Sequence, residues 1–148
     1  MTIKIFSNDN AKKYVKNSGF ITHIEENLTQ NYENYIKYKR FINCWLNEIR
    51  SVKCYVLLDN DTIKTIILIS KMDYDPQQRH ENPFNLNLIY TFPNYRKKNY
   101  AYNMLMYLKD REQLTAFTDS IEGEYLFKKA NFIQYKDETP GYNMFCSP

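Results

Sequence analysis

From Thr2 to Phe6 apolar and polar residues alternate, which predicts a short strand. Ser7-Asn8-Asp9-Asn10 then offers N-cap chemistry for a helix from about Ala11 to Lys16, with Gly19 as its stop. Ile24, Leu28, Tyr32, Tyr35, Ile36, Phe41, Ile42, Trp45, Leu46 and Ile49 recur at a helical period and predict a second helical region from about Thr22 to Ile49. Residues 29–34 are polar and form helix weakly, so one break is expected there. Lys53 to Leu58 and Thr62 to Lys71 are rich in Val, Ile, Leu and Thr and predict two strands, with Asp59-Asn60-Asp61 between them as hairpin chemistry. Residues 73–83 are polar, contain two prolines and predict a loop. Further along, the patterns predict a strand over 84–92, a helix over 100–111, a strand over 114–118 and a helix over 121–130. Short strands are expected over 132–135 and 142–145. The resulting order, β-α-α-β-β-β-α-β-α-β-β, describes a mixed α/β (α+β) sheet with helices packed on it. No internal repeat or linker divides the chain, so one domain over residues 1–148 is expected.

Composition narrows the possible functions. Hydrophobic residues make up 43% of the 148, enough for a packed core and too many for a disordered chain. No run approaches the roughly 20 apolar residues of a membrane span, and the first residues contain no long apolar segment of the secretory type. Cys44, Cys54 and Cys146 are odd in number and irregularly spaced, which suits free thiols in a reducing compartment. A cytoplasmic protein without a disulfide frame or bound metal is therefore expected. The apolar settings of Cys44 and Cys54 predict small buried hydrophobes. A net charge of +3, from 20 cations and 17 interspersed acids, argues against nucleic acid as a partner. Arg96, Lys97, Lys98, Lys128 and Lys129 with nearby tyrosines are what such a reading would rest on.

The segment Tyr90-Thr91-Phe92-Pro93-Asn94-Tyr95-Arg96-Lys97-Lys98-Asn99-Tyr100 carries candidate chemistry. Pro93 cannot donate to a sheet ladder, so the strand should end there. Three cations follow, then Asn99, which tolerates the left-handed conformation, and then a helix start. The first N–H groups of that helix lack internal partners and carry partial positive charge, a setting that suits a diphosphate. A solvated basic turn is the alternative reading of this stretch taken alone.

The segment resembles the acetyl-coenzyme A motif of the GCN5-related N-acetyltransferases, an apolar strand followed by Pro-x-x-Arg/Gln-x-x-Gly-x-Gly/Ala and a helix. Pro93, Arg96, Asn99 and Ala101 fall on its four fixed positions. A second stretch, from Leu114 to Phe132, is similar to the family's closing segment: Thr118-Asp119 at a strand end, then Leu126-Phe127, Lys129 and Asn131-Phe132 at a helix end. Its Thr-Asp to helix-end spacing is about two residues short. The resemblance implies that acetyl-coenzyme A is the co-substrate, with no metal and an amine as acceptor. It implies that Arg96, Lys97, Lys98, Asn99, Tyr100 and Ala101 form the turn that wraps the pyrophosphate. It implies a splayed preceding strand whose backbone at Ile89, Tyr90 and Thr91 bonds the pantetheine, with a backbone N–H near Tyr90 or Thr91 polarising the thioester. Two positions depart from the pattern. Asn99 replaces the turn glycine, and Phe127 stands where the family's tyrosine protonates the departing thiolate.

Because Phe127 has no proton to give, Tyr135 and Tyr142 in the last strands are the candidate acids. Tyr125 precedes Phe127 by two residues, about 200° around a helix, and is expected to aim away from it. Glu81, with His80 beside it, precedes the central strand and is the candidate general base; a polar surface loop is the plain reading of the pair. His23 is expected on a helix surface. Tyr32, Tyr35, Tyr38, Phe41 and Trp45 form a stripe that suits core, or an acceptor pocket. The sequence leaves two leading functions: an N-acetyltransferase acting on a primary amine, or a degenerate module that binds coenzyme A or a partner without turnover. Neither the acceptor nor the oligomeric state is legible.

Overall fold

Asn60 and Asp61 have φ of 49° and 64°, the pair of left-handed residues that a two-residue hairpin turn needs. They join β2 (Val52–Asp59) to β3 (Thr62–Lys71), with Asp59 opposite Thr62. The computed structural model describes residues 1–27, 31–135 and 143–148. The other elements in chain order are β1 (Thr2–Ser7), α1 (Asn8–Asn17), α2 (Phe20–Asn27) and α3 (Tyr32–Leu46) before the hairpin. After it come β4 (Pro83–Thr91), α4 (Tyr100–Lys109), β5 (Gln113–Thr118), α5 (Ile121–Lys129), β6 (Ile133–Tyr135) and β7 (Asn143–Cys146). The seven strands form one sheet in the order β1-β2-β3-β4-β5-β7-β6, antiparallel except for β4 beside β5. The expected mixed, mostly antiparallel sheet with flanking helices is what the chain adopts.

Helices cover both faces. Residues 65–70 of β3 are all buried, which accounts for the unbroken run Ile66-Ile67-Leu68-Ile69. One face packs Tyr55, Leu57, Ile67 and Ile69 against Met104, Leu105 and Leu108 of α4 and Phe127 of α5. The other packs Cys54, Val56, Ile66 and Leu68 against Ala11 and Val15 of α1, Phe20 and Ile24 of α2, and Ile42 and Trp45 of α3.

Several boundaries differ from expectation for physical reasons. The second helical region divides into α2 and α3, which adds one helix to the expected order. Asn31 caps α3, its side chain accepting from the Asn34 N–H at 3.3 Å. That helix ends at Leu46, not Ile49, and Ile49 is 94% exposed. Pro83 opens β4 rather than closing the loop, because the first residue of a strand can dispense with its N–H. Cys54 and Cys146 are buried, but Cys44 is exposed on α3, since the helical period that buries Ile42 and Trp45 turns position 44 outward.

Two irregularities in β4 prepare the site. The register against β3 shifts between Leu68 (opposite Leu88) and Ile69 (opposite Leu86), which leaves Asn87 as an extra residue. A one-residue slip exchanges the faces of a strand. Phe84 and Leu86 therefore join the α4 face, while Leu88 and Tyr90 join the α2–α3 face. On its other side β4 pairs with β5 only at Pro83–Gln113, Phe84–Leu114 and Asn85–Thr115. Beyond Asn85 the two strands part, and β4 runs on to Thr91 with that edge unpaired by β5.

Candidate active site

The chain turns from β4 into α4 through a 3-10 turn at Pro93–Tyr95, an extended Arg96, and left-handed Lys97 and Asn99 (φ 65° and 63°). Asn99 takes the conformation the family's glycine would supply. Its carbonyl accepts from the Asn103 N–H at 2.9 Å, which starts the ladder of α4. The N–H groups of Tyr100, Ala101 and Tyr102 precede that first bond and face the turn. Lys129 Nζ donates to Asn99 Oδ1 at 3.1 Å and lies 4.4 Å from the centre of the Tyr102 ring. The amide of Asn99 is thereby drawn towards α5. Arg96 donates from Nε to the Thr91 carbonyl at 2.9 Å, and its guanidinium lies 5.2 Å from the Tyr90 ring centre.

A groove of about 440 Å³ opens at this turn. Ile89, Tyr90, Thr91, Arg96, Lys97, Asn99, Tyr100 and Ala101 all line it. Lys98 is exposed and does not line it. A second cavity of about 280 Å³ continues from the first, sharing Tyr38, Ile89, Thr91, Ala101, Glu122 and Leu126 as walls. It lies in the opening between β4 and β5 and reaches Leu86, Leu88, Phe117 and Phe127. Lys37 and Asp119 meet at its rim, 2.6 Å apart, joining α3 to the β5–α5 turn.

The candidates for acid–base work are not gathered here. Glu81 is exposed and lines neither cavity. The Tyr135 hydroxyl accepts from Arg79 Nη1, and it too lies outside both cavities. Tyr142 lies outside the described residues. His80 Nε2 is 3.0 Å from the Ser147 carbonyl oxygen. Phe127 is 4% exposed, packs against Phe132 and Phe145, and lines the second cavity. Tyr125 points away from it, as the helix geometry requires, but not away from the site: it lines the first groove with Glu122 and Lys129. The 3- and 4-residue spacings of Glu122, Tyr125, Leu126 and Lys129 were the available signal for that face. Of the aromatic stripe, Trp45 is core, Tyr38 and Phe41 are half-buried at the cavities, and Tyr32 is exposed.

Gly123 sets how closely α5 approaches β5. A Cβ there would sit 2.3 Å from Thr118 Oγ1 and 2.9 Å from Ser120 Oγ, the atom that accepts from the Gly123 N–H and caps α5. Any side chain at this position would force Thr118 or Ser120 to shift and so disturb the cap.

His23 is half-buried instead of lying on a free helix surface. Its ring packs 4.4 Å from that of Phe92. Asn27 Nδ2 donates to Nδ1 at 3.1 Å, so Nε2 carries the proton and donates to the Tyr90 hydroxyl at 2.9 Å. Burial, and then the charge of Arg96, lower the His23 pKa, while burial raises that of Tyr90. The folded state thus prefers neutral His23, and the unfolded chain binds the extra proton. This stabilisation is complete above the ordinary histidine value of about 6.5 and is lost as pH falls through the lower folded value. Tm is expected to decline between about pH 7 and 5, and His23→Gln is expected to flatten that decline. Equal slopes in both proteins would show that His23 does not carry it. The lowered carboxyl pKa values of Asp75 and Asp119 act in a separate, more acidic window.

No helix among the described residues is long and apolar enough to cross a membrane, and none of their His, Cys, Asp and Glu residues cluster as a metal site would require. Neither a protein-family model nor a curated protein matches the sequence. Solved structures do match in fold. GCN5 of Tetrahymena aligns over 100% of this chain and 97% of its own, at 15% identity and a TM-score of 0.64. The catalytic domain of the Tetrahymena GCN5 histone acetyltransferase in complex with coenzyme A aligns over 99% of this chain and 92% of its own, at 20% identity and a TM-score of 0.62. The N-acetyltransferase PseH of Campylobacter jejuni in complex with acetyl coenzyme A aligns over 98% and 97%, at 15% identity and a TM-score of 0.59. With the parted β4 and β5 and the left-handed turn before α4, these likenesses place the chain in one architecture: it has the fold of the GCN5-related N-acetyltransferases.

Proposed function

We propose that this chain is an N-acetyltransferase that moves the acetyl group of acetyl-coenzyme A to a primary amine. One observation carries the reading: a groove that begins at the cationic, left-handed turn continues along the edge of β4 that β5 leaves unpaired. Two of the three structures named above are complexes with coenzyme A or acetyl coenzyme A, which supports the same ligand here.

In this reading Arg96, Lys97 and the free N–H groups of α4 hold the diphosphate. Lys129 keeps the Asn99 side chain from crowding it. The β4 backbone from Ile89 to Thr91 bonds the pantetheine arm, and an N–H near Tyr90 or Thr91 stabilises the developing oxyanion. The acetyl thioester supplies an activated carbonyl and a leaving group that departs readily as thiolate. Phe127 excludes water and donates no proton. No proton is routed through Glu81 or Tyr135, because neither lines the groove.

Ligand at about 100 times its dissociation constant adds roughly 2.7 kcal/mol. For a domain of this size that is a Tm increase on the order of 5–10 °C. We expect this shift with millimolar acetyl-coenzyme A, and none in a folded sample would overturn the reading. Asn99 and Phe127 favour one alternative, a module that binds without turnover. A full shift with no acetyl transfer to a broad panel of amines would select it.

A further inference from the structure

We propose that the preferred acyl group is longer than acetyl, propionyl or butyryl, and that Phe127 and Phe117 set this preference. The inference rests on the reading above and names the acyl class of that same site. The second cavity is the distal end of the groove, away from the cationic turn. A pantetheine arm that leaves the turn and follows β4 brings its thioester, held at the N–H near Tyr90 or Thr91, to the part of this cavity that Ile89 and Thr91 line. β4 from Thr91 back to Leu86 covers five residue steps, roughly 17 Å, so the cavity wall runs on past the thioester.

Two features make this end suited to a longer acyl chain. The first is size. At roughly 10–15 Å³ for each water-sized group, the three heavy atoms of an acetyl group and the four of a cysteamine end leave more than half of the 280 Å³ unfilled. Space for one or two further carbons remains. The second is the chemistry of the wall. Phe41, Leu86, Leu88, Phe117, Leu126 and Phe127 supply most of the lining, beside polar groups that include Asn87, Thr118 and Ser120. A tyrosine at position 127 would bring a hydroxyl that needs a partner; phenylalanine keeps that position apolar. Phe117 remains 39% exposed, and methylene groups of an acyl chain would cover it.

The reaction is unchanged by the longer chain. The neutral amine attacks the carbonyl carbon, the C–N bond forms, and the C–S bond breaks with its electron pair on sulfur. The amine proton leaves to solvent or to the thiolate.

Each buried methylene strengthens binding about fourfold. Affinities of coenzyme A and of its acetyl, propionyl and butyryl thioesters, measured by calorimetry, test this without any knowledge of the acceptor. The wild type is expected to bind propionyl-coenzyme A about fourfold more tightly than acetyl-coenzyme A. Phe127→Tyr is expected to reduce that ratio to one or below. Should that variant fail to fold, Phe117→Ala at the partly exposed wall is expected to lower the ratio as well. A wild type that binds coenzyme A yet prefers acetyl, or an unchanged ratio in the folded variants, would overturn the inference while leaving the transferase reading intact. Failure of all four ligands to bind would overturn both.

Discussion

Replacing Trp45 by alanine is expected to destabilise the fold by about 3–5 kcal/mol. Trp45 is fully buried between α3 and the sheet. Its indole Nε1 donates to the Ile69 carbonyl at 2.9 Å, beside the step where the β3–β4 register shifts. Alanine removes a large apolar surface, leaves a cavity and strips that carbonyl of a donor. Tm is expected to fall on the order of 10–15 °C. Trp45→Phe fills most of the space but cannot donate, so it should lose about 1–2 kcal/mol. If the alanine variant melted within a few degrees of wild type, the contact between α3 and β3 would not be the anchor described.

The second large effect belongs to Arg96. Arg96→Glu is expected to weaken coenzyme A binding about 100-fold, through loss of a charge-assisted contact and its replacement by repulsion. The fold should survive. Arg96 is exposed, and its contacts with the Thr91 carbonyl and the Tyr90 ring amount to about 1 kcal/mol together. Lys98→Glu is the informative control, because Lys98 neighbours Arg96 in sequence but does not line the groove. A decline of less than about tenfold is expected there, from long-range charge alone. Wild-type affinity in a folded Arg96→Glu protein would place the phosphates elsewhere.

The elements that local chemistry dictates were legible beforehand. The bounds of β3 match its apolar run, Thr62 to Lys71, and Asn60-Asp61 form the two-residue hairpin turn that their tolerance of positive φ suggests. Gly19 (φ 83°) separates α1 from α2, and Asn99 adopts the left-handed conformation before α4. Each of these depends on the intrinsic preference of one or two residues, or on a periodicity within one segment. The turn from Arg96 to Ala101 was legible for the same reason. Long-range register was not. The extra residue at Asn87 reverses the facing of Leu88 and Tyr90, and nothing in Leu86-Asn87-Leu88-Ile89 marks it, because a bulge is defined by the partner strand. The family resemblance implied that β4 parts from its neighbour, but that the parting begins after Asn85 depends on where α4 carries the chain back to the sheet. His23 meets Tyr90 across 67 positions and Lys129 meets Asn99 across 30. Such pairings are set when separate faces pack together, a step that no local periodicity encodes.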